Sequence, residues 1–250
     1  VIRAFRNEKA MISSFNDKQL NAMSGLDSLP DNTDELTSVQ EHNIPVTGEV
    51  AAFFKNSEGL LQDVKLRRAL VSATNPGEVI AGLDYPAVVA NSPLLKSQLG
   101  YDKTITQASN NLEQANKLLD EAGWITNQST GFREKDGKKL SIKLTSRNTS
   151  EYSYVAQKLQ SQWRAVGVDL QPILQTSDDF EGTLTRHDYE ILLYGISLGL
   201  DPDVFAYWHS SQADIRSASR LNFSEYKSST ADKSLEAGRT RTDPSIRAIK

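Results

Sequence analysis

Between Ser109 and Gly195 the spacing of apolar residues switches repeatedly between the helix period and the strand period. That alternation limits the fold more than any other feature of the chain. Leu112, Ala115, Leu118, Leu119 and Ala122 recur at helical spacing within 108–124, and Gly123 supplies a left-handed stop. In FREKDGKKLSIKLTS, Asp136-Gly137 marks a hairpin turn, and Leu140, Ile142 and Leu144 alternate along its second strand. Tyr152, Val155, Leu159, Trp163 and Val166 form a second helical stripe, ended by Gly167. A strand over 168–174 follows, then a short helix capped at Ser177 and running to Arg186, then the strand YEILLYG over 189–195. The order helix, hairpin, helix, strand, helix, strand requires α/β layering, with a sheet covered by helices.

The upstream half is less regular. VIRAF (1–5) is a short strand candidate, and Glu8–Met23 an amphipathic helix with Met11, Phe15 and Leu20 on one side and Gly25 at its end. A polar linker with Pro30 and a short helix over Asp34–His42 come next. IPVTGEVAAFFKN (44–56) is rich in β-formers and reads as strand. Asp63 caps a helix that buries Val64, Leu66, Ala69, Leu70 and Ala73; Asn75-Pro76 ends it and opens another. Residues 84–106 are a turn-rich loop, and a loop of that length is either functional or loosely held. At the far end Asp243 and Pro244 start a helix whose stripe, Ile246 and Ile249, has barely begun. With an opening that lacks an initiator Met and a signal core, this reads as a piece of a longer chain.

Chemistry is hard to find. The chain has 250 residues, 38% of them hydrophobic and 24% charged, and a net charge of −4. It has room for one large or two small domains and no basic excess that would attract nucleic acid. It contains no cysteine, so disulfides, thiol catalysis and Cys-based zinc sites are excluded, and no apolar run approaches the ~20 residues that span a bilayer. His42, His187 and His209 are scattered without metal-ligand spacing. No Walker loop, GxGxxG or G-x-S-x-G is present, and GISLGL lacks a third glycine, so no cofactor is expected. Ser224-x-x-Lys227 is a pattern that chance supplies. Asp178-Asp179 suits a helix N-terminus. Asp201 and Asp203 flank Pro202, where a turn and a cap for a helix over 204–210 account for them. A hydrolase built on Asp201, Asp203 and His209 lacks the spacings catalysis needs, and no enzyme is expected.

Binding is better supported. YGISLGLDPDVFAYWHSSQ (194–212) joins the end of an apolar strand to a glycine-rich loop and an aromatic helix. Glycines let backbone amides approach a ligand, and aromatics give rigid area at little entropic cost. The wall candidates are Tyr194, Gly195, Ser197, Leu198, Gly199, Asp201, Asp203, Trp208 and His209. Alternatively Phe205 and Trp208, three apart, are core anchors; the reading adopted has one facing inward and the others lining a cleft.

Several segments, in order, resemble one family. DVKLRRALVSATNPGEVIAGL, NNLEQANKLLDEAGW with its Leu118, Leu119, Ala122, Gly123 and Trp124, DGKKLSIKLTS, VAQKLQSQWRAVGVDL, the 189–212 stretch, and NFSEYKSSTADKSLEAGRTRTD with Asp232 are similar to family 5 extracellular solute-binding proteins, the oligopeptide and dipeptide receptors of ABC importers. AFRNEKAMISSFNDKQLNAMSGLD resembles the passage from the first lobe of such receptors into the second.

The resemblance implies a mixed β-sheet flanked by helices, as in the C-terminal lobe of a type II periplasmic-binding-protein-like fold. Residues 1–250 would be a single truncated lobe, with 1–30 as inter-lobe crossover and first helix. It implies an extracytoplasmic lipoprotein that closes on a small peptide or other solute between this lobe and an N-terminal lobe and delivers it to ABC permease subunits. Related receptors take nickel complexes, sugars, glutathione and haem as well. A peptide-binding chaperone or adhesion module without a transporter is the alternative. Two positions depart from the family pattern. Leu198 stands where an aspartate grips the peptide amine, so the loop's location carries over and its amine-binding role does not: either Asp201, Asp203 or the other lobe holds the amine, or the solute has no free α-amine there. Asn75 stands where Asp is usual, with capping preserved.

Overall fold

A computed structural model of the protein describes residues 2–5, 7–26, 39–42, 48–83, 85–199 and 202–248. The chain divides into two compact units, Val1–Val46 with Ile80–Val88, and Thr47–Val79 with Val89–Lys250.

In the first unit, helix α1 (Glu8–Asn16) is capped by the Asn7 side chain, which accepts from the Ala10 N–H at 2.9 Å. It ends earlier than its apolar stripe predicts, because Lys18 adopts a left-handed φ of 58° and turns the chain away before Leu20. Residues 2–5 form no strand, and 39–42 no helix; Pro30 and the rest of the expected 34–42 helix lie outside the described residues.

The second unit carries a four-stranded mixed sheet in the order β1 (Gly48–Phe54), β7 (Ile191–Ser197), β5 (Ser141–Arg147), β6 (Asp169–Gln175). β5 runs parallel to β6 and β7, while β1 is antiparallel to β7. Pleating assigns alternate residues to opposite faces. Phe53, Ala51 and Glu49 stand opposite Leu192, Tyr194 and Ile196 on one face. There α6 (Ser177–Arg186) and the 205–226 segment add Phe180 and Phe223 to a core with Phe53, Tyr189, Leu192 and Ile196. On the other face Ile142, Leu144, Leu170, Ile191 and Leu193 are buried, and α5 (Ser150–Arg164) packs through Val155, Ala156, Leu159 and Trp163. Phe54 meets the Trp163 ring edge-on at 6.2 Å. Behind α5 lie α2 (Val64–Ala73), capped by Asp63, and α4 (Leu112–Glu121), capped by Asn111. α3 (Pro76–Ile80) starts at Asn75, whose side chain accepts from the Glu78 N–H at 3.3 Å, so asparagine does cap here. Thr176, not Ser177, caps α6; its side chain accepts from the Asp179 N–H.

The hairpin differs from expectation in an instructive way. Asp136 and Gly137 do turn the chain, with φ of 51° and 72°. β3 (Arg133–Lys135) and β4 (Lys138–Lys139) form a small sheet with β2 (Ile125–Thr126), and the next residue changes sheets. The Leu140 N–H donates to the Arg133 carbonyl in the small sheet, while its own carbonyl accepts from Asp169 at the start of β6 in the large one. The single long strand read from Leu140, Ile142 and Leu144 is therefore β4 and β5 in succession.

Candidate functional site

The parallel strands place the site. From β5 the chain crosses through α5 to β6 on one side, then through α6 to β7 on the other, so the crossover helices cover opposite faces. In such a sheet the two crossovers part between β5 and β7, at the carboxyl ends of the strands, and leave a crevice there. Those ends are Arg147 and Ser197. Antiparallel β1 brings its first residues to the same end, with Gly48 opposite Ser197 and Glu49 opposite Ile196.

The residues singled out from sequence separate into distinct roles here. Tyr194 is half-buried, with its ring 5.7 Å from Phe180 and 5.5 Å from Phe223. Gly195 faces the opposite side, where the Tyr152 hydroxyl lies 2.9 Å from the place a Cβ would occupy. Burial raises the phenol of Tyr152, and Glu151 adds to the effect. Ser197 and Gly199 are exposed, whereas Leu198 is only 6% exposed and packed inward. The Gly199 carbonyl accepts from the side-chain amide of Gln98 at 3.0 Å; Gln98 is itself buried and accepts from the Leu95 N–H. The long loop after residue 88 thus pins the one that follows β7. Asp201 lies outside the described residues.

Asp203 accepts from the Phe205 N–H at the start of α7 (Phe205–Trp208) and pairs with Arg239 of α8 (Ser229–Thr240) at 3.0 Å. His209 stacks on Phe205 at 4.0 Å, and the Arg239 guanidinium lies over the Phe205 ring at 4.3 Å from its centroid. The His209 Nδ1 accepts from the Ser211 N–H, which leaves Nε2 to donate to Glu236 at 3.3 Å. The Ser210 N–H holds the Asp232 carboxyl below its usual range. Asp203 and His209 are thus occupied in joining α7 to α8. Trp208 is half-buried against Phe53 and Tyr226, and among the described residues its buried indole N–H has no hydrogen-bond partner. Burial and the neighbouring Tyr194 raise the Tyr207 phenol.

Other groups at this end carry no motif in the sequence. Glu49 continues the row Phe53, Ala51 onto the crevice end of the sheet. It is half-buried, and burial pushes its carboxyl up to about 7. Among the described residues no hydrogen bond or ion pair reaches it. Arg147 lies on the same face opposite Gln175, with its guanidinium 5.5 Å from the Phe180 ring centre; its Nε and the Gln175 Oε1 are buried and unpaired. Unsatisfied polar atoms at one end of a sheet suit the completion of contacts by a polar solute. Among the described residues no group of three or more His, Asp or Glu converges to hold a metal, and no helix is long and apolar enough to cross a membrane. A cavity of about 240 Å³ between Lys55, Glu58, Leu61 and Tyr189 lies at the opposite end of the β1–β7 pair.

Residues 1–217 match the family described as bacterial extracellular solute-binding proteins, family 5 Middle. The oligopeptide-binding protein OppA of Lactococcus lactis subsp. lactis is 33% identical over 193 residues, which are 70% of this chain and 30% of that protein. The structure of the oligopeptide-binding protein AppA from Bacillus subtilis in complex with a nonapeptide superposes with a TM-score of 0.73 at 25% identity, covering 82% of this chain and 41% of that one. NikZ from Campylobacter jejuni in complex with Ni(L-His) gives 0.78 at 25% identity, covering 96% and 48%. The chain spans less than half the length of each of these relatives.

Proposed function

The chain belongs to the bacterial extracellular solute-binding proteins of family 5, and from that premise we propose that it supplies one lobe of a receptor that captures a peptide-like solute and hands it to a membrane permease of an ABC importer. Residues 1–250 act as that lobe, with 1–30 as the segment that leads the chain into it. The partner is a second lobe of the same protein, and closure comes from solute contacts made to both.

The observation that carries this reading is the crevice end of the sheet. There the crossovers on either side of β5 part, Ser197 ends the last strand and Gly199 follows it, both exposed, and Arg147 and Gln175 keep buried polar atoms without a partner among the described residues. Tyr194, Gly195, Ser197 and Gly199 form the wall, while Asp203 and His209 join α7 to α8. A surface of this kind binds and orients; among the described residues it offers no paired nucleophile and base. Two relatives are described as oligopeptide-binding and one as binding Ni(L-His), and a peptide is the solute favoured for this chain. Mass spectrometry of the solutes that copurify with the full-length protein is the test. Peptides are expected; a sugar or a metal chelate in their place would overturn the solute class, and no solute of any kind would overturn the capture reading.

A further inference from the structure

The loop after β7 has no free acid among the described residues to meet a cationic solute. Leu198 is buried, and Asp203 is paired with Arg239 and spent on the start of α7. An acid without a partner among the described residues stands one strand away. Glu49 is cross-strand neighbour to Ile196, so its side chain rises on the same face and the same end of the sheet as Tyr194 and Ile196, two residues short of Leu198. β1 is an edge strand of this sheet, and Glu49, near its start, is only half-buried, with exposed Gly48 and Val50 on either side of it in the chain.

We propose that Glu49 is a specificity-determining residue that receives the ammonium group of the solute; the assignment rests on the peptide-capture reading above. A half-buried carboxylate that no donor reaches among the described residues loses hydration and gains nothing from them in return. An ammonium group arriving with the solute supplies both opposite charge and N–H donors, and a charge-assisted bond formed as the crevice is covered is stronger than one in water. A neutral amide at the N-terminus of a solute offers a donor but no charge. The residue therefore selects for a free amine, a task that Leu198 cannot perform from the loop. A purely structural role for Glu49 makes no such distinction.

The experiment uses the full-length protein, stripped of bound solute, and a random nonapeptide pool free of Lys, Arg and His, so that the terminal amine is its sole cation. The same pool after N-acetylation is the comparison. Wild type is expected to retain the free-amine pool at least tenfold better than the acetylated one. Glu49→Gln is expected to bring that ratio close to one by losing the free-amine pool while holding the acetylated pool as before. Thermal unfolding of Glu49→Gln checks that the variant is folded, and Glu49→Asp, which keeps the charge, is expected to keep the preference. Should the wild type prefer the free amine and Glu49→Gln prefer it equally, the Glu49 assignment fails and peptide capture stands. Should the wild type bind neither pool, peptide capture fails and the assignment falls with it.

Discussion

The hydroxyl of Tyr152, on the first turn of α5, lies 2.9 Å from the point where a Cβ on Gly195 would stand. β7 can therefore carry no side chain at this position without moving the phenol. Gly195→Ala is expected to destabilise the protein by about 1 kcal/mol, the scale of modest overpacking at a half-buried site where a ring can tilt aside. Tyr152→Phe in the same chain removes the clashing oxygen and is expected to restore most of the loss. Urea unfolding of the two single variants and the double variant measures the coupling; additivity of the two effects would contradict the contact.

The left-handed stop after α5 makes a sharper prediction. Gly167 has φ of 80°, and a Cβ there would come within 2.9 Å of the Arg133 Cγ, 3.2 Å of the Arg133 backbone nitrogen and 3.3 Å of the Gly131 carbonyl. Two of those neighbours are backbone, held by the bond from the Arg133 N–H to the Gly167 carbonyl at 2.7 Å. Arg133 itself is buried and bonded to the Val166 carbonyl and to Asp120. Gly167→Ala therefore combines backbone strain with a clash that has no soft side, and a loss of roughly 2–4 kcal/mol is expected. A change in unfolding midpoint corresponding to less than about 0.5 kcal/mol, the scale of an ordinary surface substitution, would rule out this close packing.

These two glycines mark what local sequence discloses. Gly123, Gly167 and the caps Asp63, Asn75 and Asp243 act within a few residues of themselves, and each is found in the expected role. The stripe of Val155, Leu159, Trp163 and Val166 is buried as its spacing requires. The misreadings have physical causes of a different range. Thr176 and Ser177 are both capable caps, and the backbone chose the first. Leu140 continues a strand pattern while its two hydrogen bonds lead into different sheets, a division made by Asp169 far along the chain. At the site, a role for Asp201 or Asp203 at the start of the helix was legible beside Pro202; Asp203 accepts from the Phe205 N–H there, although Val204 holds the cap position. Glu49 was not legible: its burial and its position opposite Ile196 come from pairing with β7, which lies more than a hundred residues away.

Gln98 ties two loops through a single side chain. Its amide nitrogen donates to the Gly199 carbonyl at 3.0 Å, and its oxygen accepts from the Leu95 N–H at 2.7 Å. Gln98→Leu keeps the volume and deletes both bonds. It leaves the Leu95 amide without its partner and frees the residues after Leu198, and a loss of about 1–2 kcal/mol is expected. Hydrogen exchange is expected to accelerate at Leu95 and through the 198–203 loop, with little change in the strands, because only the tether is cut. Uniform protection across that loop in the variant would show that Gln98 does not hold it.

The carboxyl of Glu49 gives the stability a pH dependence of defined sign. Burial raises it from the usual 4.5 to about 7 in the folded protein. Between those values the folded state binds more protons than the unfolded chain, so its stability falls as pH rises across the window. Below 4.5 the group is protonated in both states and contributes no penalty; above 7 it is ionised in both and the penalty is complete. Because the side chain is half-buried and solvent screens part of the effect, the penalty is about 1–2 kcal/mol rather than the full value of the shift. Glu49→Gln is thus expected to match the wild type near pH 4.5 and to exceed its stability by that amount near pH 8. Urea unfolding of both proteins at several pH values checks it. The same penalty links stability to recognition: an ammonium group that pairs with Glu49 removes it, so a free-amine peptide should raise the unfolding temperature of the wild type more at pH 8 than at pH 5. A shift of equal size at both values, in a protein that binds the peptide at both, would mean that the cation meets some other group.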